Sequence, residues 1–172
     1  DEFQTVFSQC DGIAKGITIK GNVTCIYDDE DENVSIGAIE GNGTLMDSSI
    51  AITYDLQSEK TIEEIAEDIV ENDLEFEFCQ LGITYQNCIG YGQYSEAIKS
   101  LADELEPKIE DDTWGYLCVS FTRKSFSSTS ASATNCYYDK ENMPDIKIRS
   151  EYIANRDNNK EFPNYADFGK TT

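Results

Sequence analysis

Apolar and polar residues alternate over several stretches of the chain, which is the pattern of half-buried β-strands. The alternating apolar positions in the first third are Ile17, Ile19, Val23 and Cys25, then Val34, Ile36 and Ala38, then Ile50, Ile52 and Tyr54. Gly41-Asn42-Gly43 lies between the second and third stretches and is typical of a hairpin turn, because Gly and Asn tolerate positive φ. The first third of the chain is therefore predicted to form an antiparallel β-meander.

Two stretches in the middle repeat their apolar residues every three or four positions, which is the period of an amphipathic helix. The first spans about 59 to 71 and contains Thr61-x-x-Glu64, a capping-box pattern. The second spans about 94 to 106. Pro107 is expected to mark its end, because proline cannot continue an α-helix without losing a hydrogen bond.

The remaining alternation predicts further strands. Leu74, Phe76 and Phe78 indicate a half-buried strand. Ile146 and Ile148 indicate a short final strand. The stretch from 114 to 122 is apolar on both faces, which favours a central, buried strand. The serine-rich stretch from 127 to 134 is expected to be a loop tip, an edge strand or an O-glycosylated segment.

This order of elements predicts an α+β fold, a two-layer sandwich in which two helices cover one face of a largely antiparallel sheet. No internal repeat is evident in the sequence. We expect one domain over residues 1–154, and a flexible, polar tail over 155–172.

Six cysteines form an even set without a CxxC pair, which predicts three disulfides and an oxidising compartment. The cysteines are Cys10, Cys25, Cys79, Cys88, Cys118 and Cys136, and their pairing stays open. Three N-glycosylation sequons, at Asn22, Asn33 and Asn42, agree with secretion. No apolar run reaches the roughly 18 residues of a membrane span, and the charged start suggests a mature form without its leader. We therefore expect a secreted, disulfide-stabilised glycoprotein.

The charge balance narrows the chemistry. The chain has 34 Asp and Glu against 13 Lys and Arg, a formal net charge of −21, and no histidine. The absence of imidazole excludes Ser-His-Asp and Cys-His catalysis and histidine-bound metals. The negative charge disfavours nucleic acids and anionic lipids as partners. Neutral glycans, cationic partners and divalent cations stay open.

The acidic run at residues 28–32 is the most concentrated chemical feature. Asp28, Asp29 and Asp31 are candidate Ca²⁺ ligands, because Ca²⁺ prefers carboxylate oxygens. The spacing differs from that of an EF-hand, which favours a solvated turn between two strands. Glu75 and Glu77 share one strand face and are the carboxylate pair considered for glycoside hydrolysis. No catalytic residue and no cofactor is assigned.

Three aromatic residues lie at the ends of predicted elements, where a ligand could reach them. Tyr91, Tyr94 and Trp114 are therefore the candidate binding residues. Exposed aromatic rings can stack on sugar rings or anchor a protein interface.

The element order, the cysteine set and the helix-then-Trp-then-Cys region from Tyr94 to Cys118 resemble small secreted killer-toxin-like and effector proteins of fungi. The resemblance covers about residues 50 to 150 and contains no diagnostic motif, so it transfers no individual residue. It implies an acidic α/β sandwich that binds a cell-wall or membrane target and does not hydrolyse it.

The resulting hypothesis is a secreted, acidic glycoprotein that binds an extracellular protein or a cell-wall glycan, in a toxin-like or effector-like role. One alternative is a histidine-free glycan hydrolase that uses a carboxylate pair. The other is an interaction subunit of a larger processed precursor. The oligomeric state stays open.

Overall fold

The chain winds in successive coils, each of which contributes one strand to each of three sheets. The structure, a computed structural model, describes residues 4–7, 10–28, 32–81, 83–123, 133–139, 142, 146–149 and 169–170. Coil 1 contains β1 (Gln4–Phe7), β2 (Ile13–Lys15) and β3 (Thr18–Ile26), and coil 2 contains β4 (Val34–Ile39), β5 (Thr44–Met46) and β6 (Ser49–Gln57). Coil 3 contains β7 (Glu75–Leu81), β8 (Thr84–Gln86) and β9 (Ile89–Tyr94), and coil 4 contains β10 (Tyr116–Arg123), β11 (Ala133–Thr134) and β12 (Tyr137–Asp139).

Equivalent strands of successive coils lie side by side. Sheet A has the order β1-β4-β7-β10-β13, sheet B β2-β5-β8-β11, and sheet C β3-β6-β9-β12-β14, where β13 is Ile146–Ile148 and β14 is Gly169–Lys170. Every described strand pair is parallel except β10 with β13. The architecture is a three-sided parallel β-helix.

The predicted antiparallel sandwich is therefore wrong. The Gly41-Asn42-Gly43 turn does not form a hairpin, because it leads from β4 in sheet A into β5 in sheet B. Each strand instead pairs with its counterpart one full coil away. Alternation along a strand defines its two faces but does not specify which strand lies next to it.

The fold repeats, although the sequence has no constant period. Thr18 lies opposite Ser49, Ser49 opposite Ile89 and Ile89 opposite Tyr137, which gives steps of 31, 40 and 48 residues. The steps differ partly because a helix enters each of the second and third connections from sheet C to sheet A. A search for a fixed period therefore misses the coils.

Both predicted helices are confirmed. They are α1 (Ile62–Glu71) and α2 (Glu96–Leu105), which pack against each other. The capping box of α1 is formed, since the Glu64 amide donates to the Thr61 hydroxyl at 3.2 Å and the Thr61 amide donates to the Glu64 carboxylate at 2.7 Å. Pro107 lies in a short 3₁₀ turn, Glu106–Lys108, directly after α2. Within the described part of the chain, no helix is long and apolar enough to cross a membrane.

The interior of the β-helix consists of side chains stacked from coil to coil. Tyr54 of β6 and Tyr94 of β9 are in register, and their rings stack with centroids 5.5 Å apart. Phe78 of β7 meets the Tyr54 ring edge-on at 6.2 Å. β10 lies between β7 and β13, which confirms the predicted central strand.

Gly92 of β9 has a backbone conformation that would direct a side chain into the neighbouring coil. Its φ is +148°, and a β-carbon at this position would lie 1.9 Å from the carbonyl oxygen of Ile52 on β6. No residue with a side chain fits there without a shift of the backbone.

The corner between sheets B and C repeats one backbone conformation. Gly16, Asp47, Asn87 and Asn135 occupy equivalent positions, with φ of +67°, +48°, +52° and +53°. Asn and Asp adopt this left-handed conformation more readily than other residues that have a β-carbon. The Asn87 amide donates to the Asp47 carboxylate, and the Asn135 amide donates to the Asn87 carbonyl, each at 2.9 Å. The side chains thus form a hydrogen-bonded ladder along the corner.

The six cysteines are all among the described residues, and the structure forms no disulfide between them, so the predicted disulfide stabilisation is wrong. Cys88 and Cys136 follow the ladder residues Asn87 and Asn135 and stack inside the corner. The Cys88 amide donates to the Cys136 sulfur at 3.4 Å, and the Cys88 thiol donates to the Leu45 carbonyl at 3.3 Å. Backbone pairing between coils connects the distant parts of this chain, and these two thiols serve as buried hydrogen-bonding groups.

Two other predictions concern parts of the chain that are largely not described. The serine-rich stretch lies outside the described residues except for β11. The predicted flexible tail over 155–172 also lies outside them, except for β14, which pairs in parallel with β12.

Asn87→Ala should lower the free energy of unfolding by about 2–3 kcal/mol, because it removes two ladder hydrogen bonds and because Ala adopts the left-handed conformation less readily than Asn does. Asn87→Gly removes the same hydrogen bonds without that strain, so its effect should be smaller, about 1 kcal/mol. Urea unfolding of both variants measures the difference. Equal destabilisation would show that the left-handed conformation is not what requires Asn at this corner.

Acid should weaken the ladder. The hydrogen bond from Asn87 lowers the pKa of Asp47 below its usual 3.8, and Lys15, whose ammonium lies 3.2 Å from the carboxylate, lowers it further. A pKa that is lower in the folded state contributes stability above the unfolded-state pKa, and this contribution disappears as the pH falls through the folded pKa. The stability advantage of the wild type over Asp47→Asn should therefore shrink between pH 7 and pH values below 3.8. Urea unfolding across this range tests it, and an advantage that does not change with pH would contradict it.

Candidate functional site

The outer surface of sheet C is the broad exposed sheet face that the coils build. We call it the C face, and it comprises the outward residues of β3, β6 and β9 together with Tyr137 of β12. They are Thr18, Lys20, Asn22, Thr24 and Ile26; Ser49, Ala51, Thr53, Asp55 and Gln57; Ile89, Tyr91 and Gln93; and Tyr137. None of these side chains is buried, because the strands alternate between the core and solvent.

The C face is a regular grid, because the strands are in register over their whole paired length. One row contains Thr18, Ser49, Ile89 and Tyr137, and the next contains Lys20, Ala51 and Tyr91. Neighbouring strands are about 4.8 Å apart, and outward residues follow one another at about 6.6 Å along a strand. A grid of this kind presents an extended, open surface.

Three apolar or aromatic side chains form a cluster at the β9–β12 end of the C face. Ile89 is 48%, Tyr91 44% and Tyr137 40% exposed. Ile89 lies directly beside Tyr137, and Tyr91 follows Ile89 on the same face of β9. From the strand spacings, the β-carbons of Tyr91 and Tyr137 are roughly 8 Å apart. Two phenol rings and one aliphatic side chain can therefore contact the same ligand.

The C face carries almost no charge. Among its side chains, only Lys20 and Asp55 are ionised at pH 7, so its net charge is zero while the chain carries −21. A hydrogen bond from Ser95 lowers the pKa of Asp55. Asp139, two residues after Tyr137, is buried and accepts a hydrogen bond from the Asn142 amide at 2.7 Å. Hydroxyl and amide groups provide most of the polar character.

The acidic residues are concentrated in the three connections from sheet C to sheet A. These connections, residues 27–33, 58–74 and 95–115, contain 5, 7 and 7 of the chain's 34 Asp and Glu residues. They include α1 and α2. We call the described part of these connections the acidic ridge. The molecule is therefore divided electrostatically into an acidic ridge and a neutral C face.

The structure separates the three aromatic residues that the sequence singled out. Tyr91 lies on the C face. Tyr94 is 2% exposed, and its hydroxyl donates to the Phe78 carbonyl at 3.3 Å inside the core, so we withdraw it as a binding residue. Trp114 is 70% exposed but lies in the third connection of the acidic ridge, away from the C face.

Sequence reasoning missed Ile89 and Tyr137 as members of the site. A signal was present, because each follows an Asn-Cys pair, Asn87-Cys88 and Asn135-Cys136. The two Asn residues occupy the same left-handed corner, so the residue two positions later starts the outer face of sheet C in both coils.

The carboxylate candidates do not form an open site in the described chain. Asp28 accepts a hydrogen bond from the Glu59 amide at 3.1 Å, whereas Asp29 and Asp31 lie outside the described residues. Within the part of the chain that the structure covers, no group of three or more His, Cys, Asp or Glu residues could hold a metal ion.

Glu75 and Glu77 lie on one face of β7, so they do not face each other across a cleft. Glu77 is 6% exposed and accepts hydrogen bonds from the Tyr116 hydroxyl at 2.8 Å and from Ser35 at 3.3 Å. Burial raises the pKa of Tyr116, and the charge of Glu75 adds to this effect. Paired glycosidase carboxylates flank the scissile bond from opposite sides, so this geometry does not support the hydrolase alternative.

The three sequons lie in different environments. Asn22 is exposed on the C face, and Asn42 is exposed at the corner between sheets A and B. Asn33 is half-buried, and its side-chain oxygen accepts a hydrogen bond from the Glu75 amide at 2.7 Å.

Comparisons of the chain with protein-family models, with curated proteins and with solved structures find no match. Function is therefore inferred from the geometry and charge of the C face.

Two tyrosines of β9 provide a test of this placement. Tyr91→Ala should change the free energy of unfolding by less than about 0.5 kcal/mol, because its ring packs only partly against the protein. Tyr94→Ala should lower it by about 3–5 kcal/mol, because it opens a cavity beside Tyr54 and removes a buried hydrogen bond. Urea unfolding of both variants distinguishes them, and comparable losses would contradict the assignment of Tyr91 to the surface.

Proposed function

We propose that this protein is an extracellular binding protein and that its C face binds a linear, neutral glycan such as a cell-wall polysaccharide. The observation that carries the proposal is the exposed cluster of Ile89, Tyr91 and Tyr137 on a face without net charge, in a chain of net charge −21. The three sequons support the extracellular setting.

The chemistry of the C face is complementary to a neutral sugar chain. Tyr91 and Tyr137 provide rings with a polar hydroxyl, which can stack on the apolar face of a sugar and donate a hydrogen bond at its edge. Thr53 and Gln93 lie side by side in the next row and provide a hydroxyl and an amide group. Such groups can pair with sugar hydroxyls as donors and as acceptors.

Shape and charge narrow the choice of glycan. An open, extended grid offers contacts along a polymer and does not enclose a single sugar. An acidic polysaccharide would be repelled by the acidic ridge, whereas a neutral one would not. Toxin-like action, which the resemblance implies, would be a consequence of such binding at a cell surface.

Binding should depend on the tyrosines of the C face and not on exposed aromatic residues in general. Tyr91→Ala and Tyr137→Ala should each weaken binding about tenfold, because a stacking contact of roughly 1.4 kcal/mol corresponds to a factor of ten in Kd. Trp114→Ala removes a more exposed ring from the acidic ridge and should leave binding unchanged.

The measurement is depletion of the purified protein from solution by insoluble cellulose, chitin and β-1,3-glucan, with pectate as the acidic comparison. Adsorption to a neutral polymer that both tyrosine variants weaken would support the proposal. No adsorption to any of the neutral polymers, or equal adsorption of the Trp114 and Tyr91 variants, would overturn it.

A further inference from the structure

β3 is the terminal strand of sheet C and one of the longest strands in the described chain. It pairs with β6 over all nine of its residues, and no described strand lies on its other side. A long, regular edge strand presents unpaired backbone N–H and C=O groups that can pair with another chain. This edge therefore requires protection if the protein is to stay monomeric.

Asn22 is the central residue of β3, with four strand residues before it and four after it. Its side chain is exposed, and Thr24, the third residue of the same sequon, is exposed on the same face. The sequon Asn22-Val23-Thr24 thus occupies the middle of the edge strand.

Two bare copies could pair antiparallel through β3 about a two-fold axis at residue 22. Lys20 would then lie opposite Thr24, and Thr18 opposite Ile26, so no like charges would meet. Antiparallel addition to a parallel sheet already occurs within this protein, at one edge of sheet A, where β13 pairs with β10. Without a modification, β3 therefore matches a second copy of itself.

In that arrangement Asn22 would lie directly opposite the Asn22 of the second copy, with β-carbons about 5 Å apart. Two branched oligosaccharides cannot both extend from positions this close. A glycan on Asn22 blocks this pairing at its centre, whereas a glycan on Asn42 would lie at the corner between sheets A and B, away from β3.

We propose that Asn22 carries an N-linked glycan that closes the β3 edge and keeps the protein monomeric. In the secretory pathway, a lipid-linked oligosaccharide pyrophosphate is the donor. The Asn22 side-chain nitrogen forms a bond to the C1 carbon of the first sugar and loses a proton, as the bond from C1 to the pyrophosphate oxygen breaks and the lipid pyrophosphate leaves. The inference relies on the same extracellular setting as the proposed function, but not on glycan binding by the C face.

A matched pair of substitutions tests it in the full chain, secreted from a eukaryotic host. Thr24→Ala removes the sequon and Thr24→Ser keeps it, although both change the same exposed side chain. Asn42→Gln removes a sequon away from the edge. Intact mass, with and without enzymatic removal of N-glycans, reports occupancy. Sedimentation velocity reports the association state, at 0.15 M and 0.5 M salt because charge repulsion is screened at the higher concentration.

The expected result is a glycosylated monomer for the wild type, for Thr24→Ser and for Asn42→Gln. Thr24→Ala should form a concentration-dependent dimer, with a polypeptide mass of twice 19.3 kDa. Asn22→Gln, and wild-type protein from a bacterial host that adds no glycan, should also dimerise. Circular dichroism of each variant confirms folding. Because Thr24→Ala, Asn22→Gln and bacterial expression each remove the glycan in a different way, the result does not depend on any one substitution.

An unmodified Asn22 in the secreted wild type would overturn the inference, as would monomeric Thr24→Ala, Asn22→Gln and bacterial proteins. Adsorption to polysaccharides is tested separately, with Tyr91→Ala and Tyr137→Ala, which leave the sequon intact, so failure of this inference is distinguishable from failure of the proposed function. Conversely, a glycan-dependent monomer that adsorbs to no polysaccharide would support this inference alone.

Discussion

In-register stacking of parallel strands is the constraint on which the rest of this structure depends. Each coil must place its backbone hydrogen-bonding groups about 4.8 Å from those of the coil before it. Equivalent positions therefore repeat, and each must suit a side chain of the same kind directly beside it. The tyrosine stack in the core and the Asp47–Asn87–Asn135 ladder at the corner satisfy this requirement. At Gly92 the backbone conformation leaves no room for a side chain beside the neighbouring coil.

The same constraint explains how charge is distributed. Two carboxylates at equivalent positions of neighbouring strands would lie about 5 Å apart and repel each other, so a stacked face tolerates few acidic residues. The connections from sheet C to sheet A are not bound to that spacing, and 19 of the 34 acidic residues lie there. Stacking alone does not account for the exposed Ile89, Tyr91 and Tyr137. Their apolar surface lies in water, which is energetically unfavourable. For this reason the cluster, more than the neutrality of the face, supports the proposed binding role.

Local patterns were sufficient to locate elements but not their partners. The capping box at Thr61 and the helical periodicity after it depend on residues within one turn of each other, and α1 forms where they indicate. Six strands, β3, β4, β6, β7, β10 and β13, were also located, whereas β9 and β12 were not predicted. The predicted pairing was wrong, since a strand in this fold pairs with a segment 31 to 48 residues away. The even cysteine set favoured disulfides by a general rule, whereas the structure uses Cys88 and Cys136 as stacked thiols within a corner.

By itself, the sequence determined the two helices, the alternation of six strands, the acidity and the absence of histidine chemistry, because each follows from composition or from neighbours along the chain. Only the tertiary structure decided which faces point outward together. It moved Tyr94 into the core, isolated Trp114 on the acidic ridge and brought Tyr91 beside Ile89 and Tyr137. The reason is physical: β9 and β12 are neighbours only because their backbones pair across a whole coil, and that pairing depends on the register of every coil between the ends.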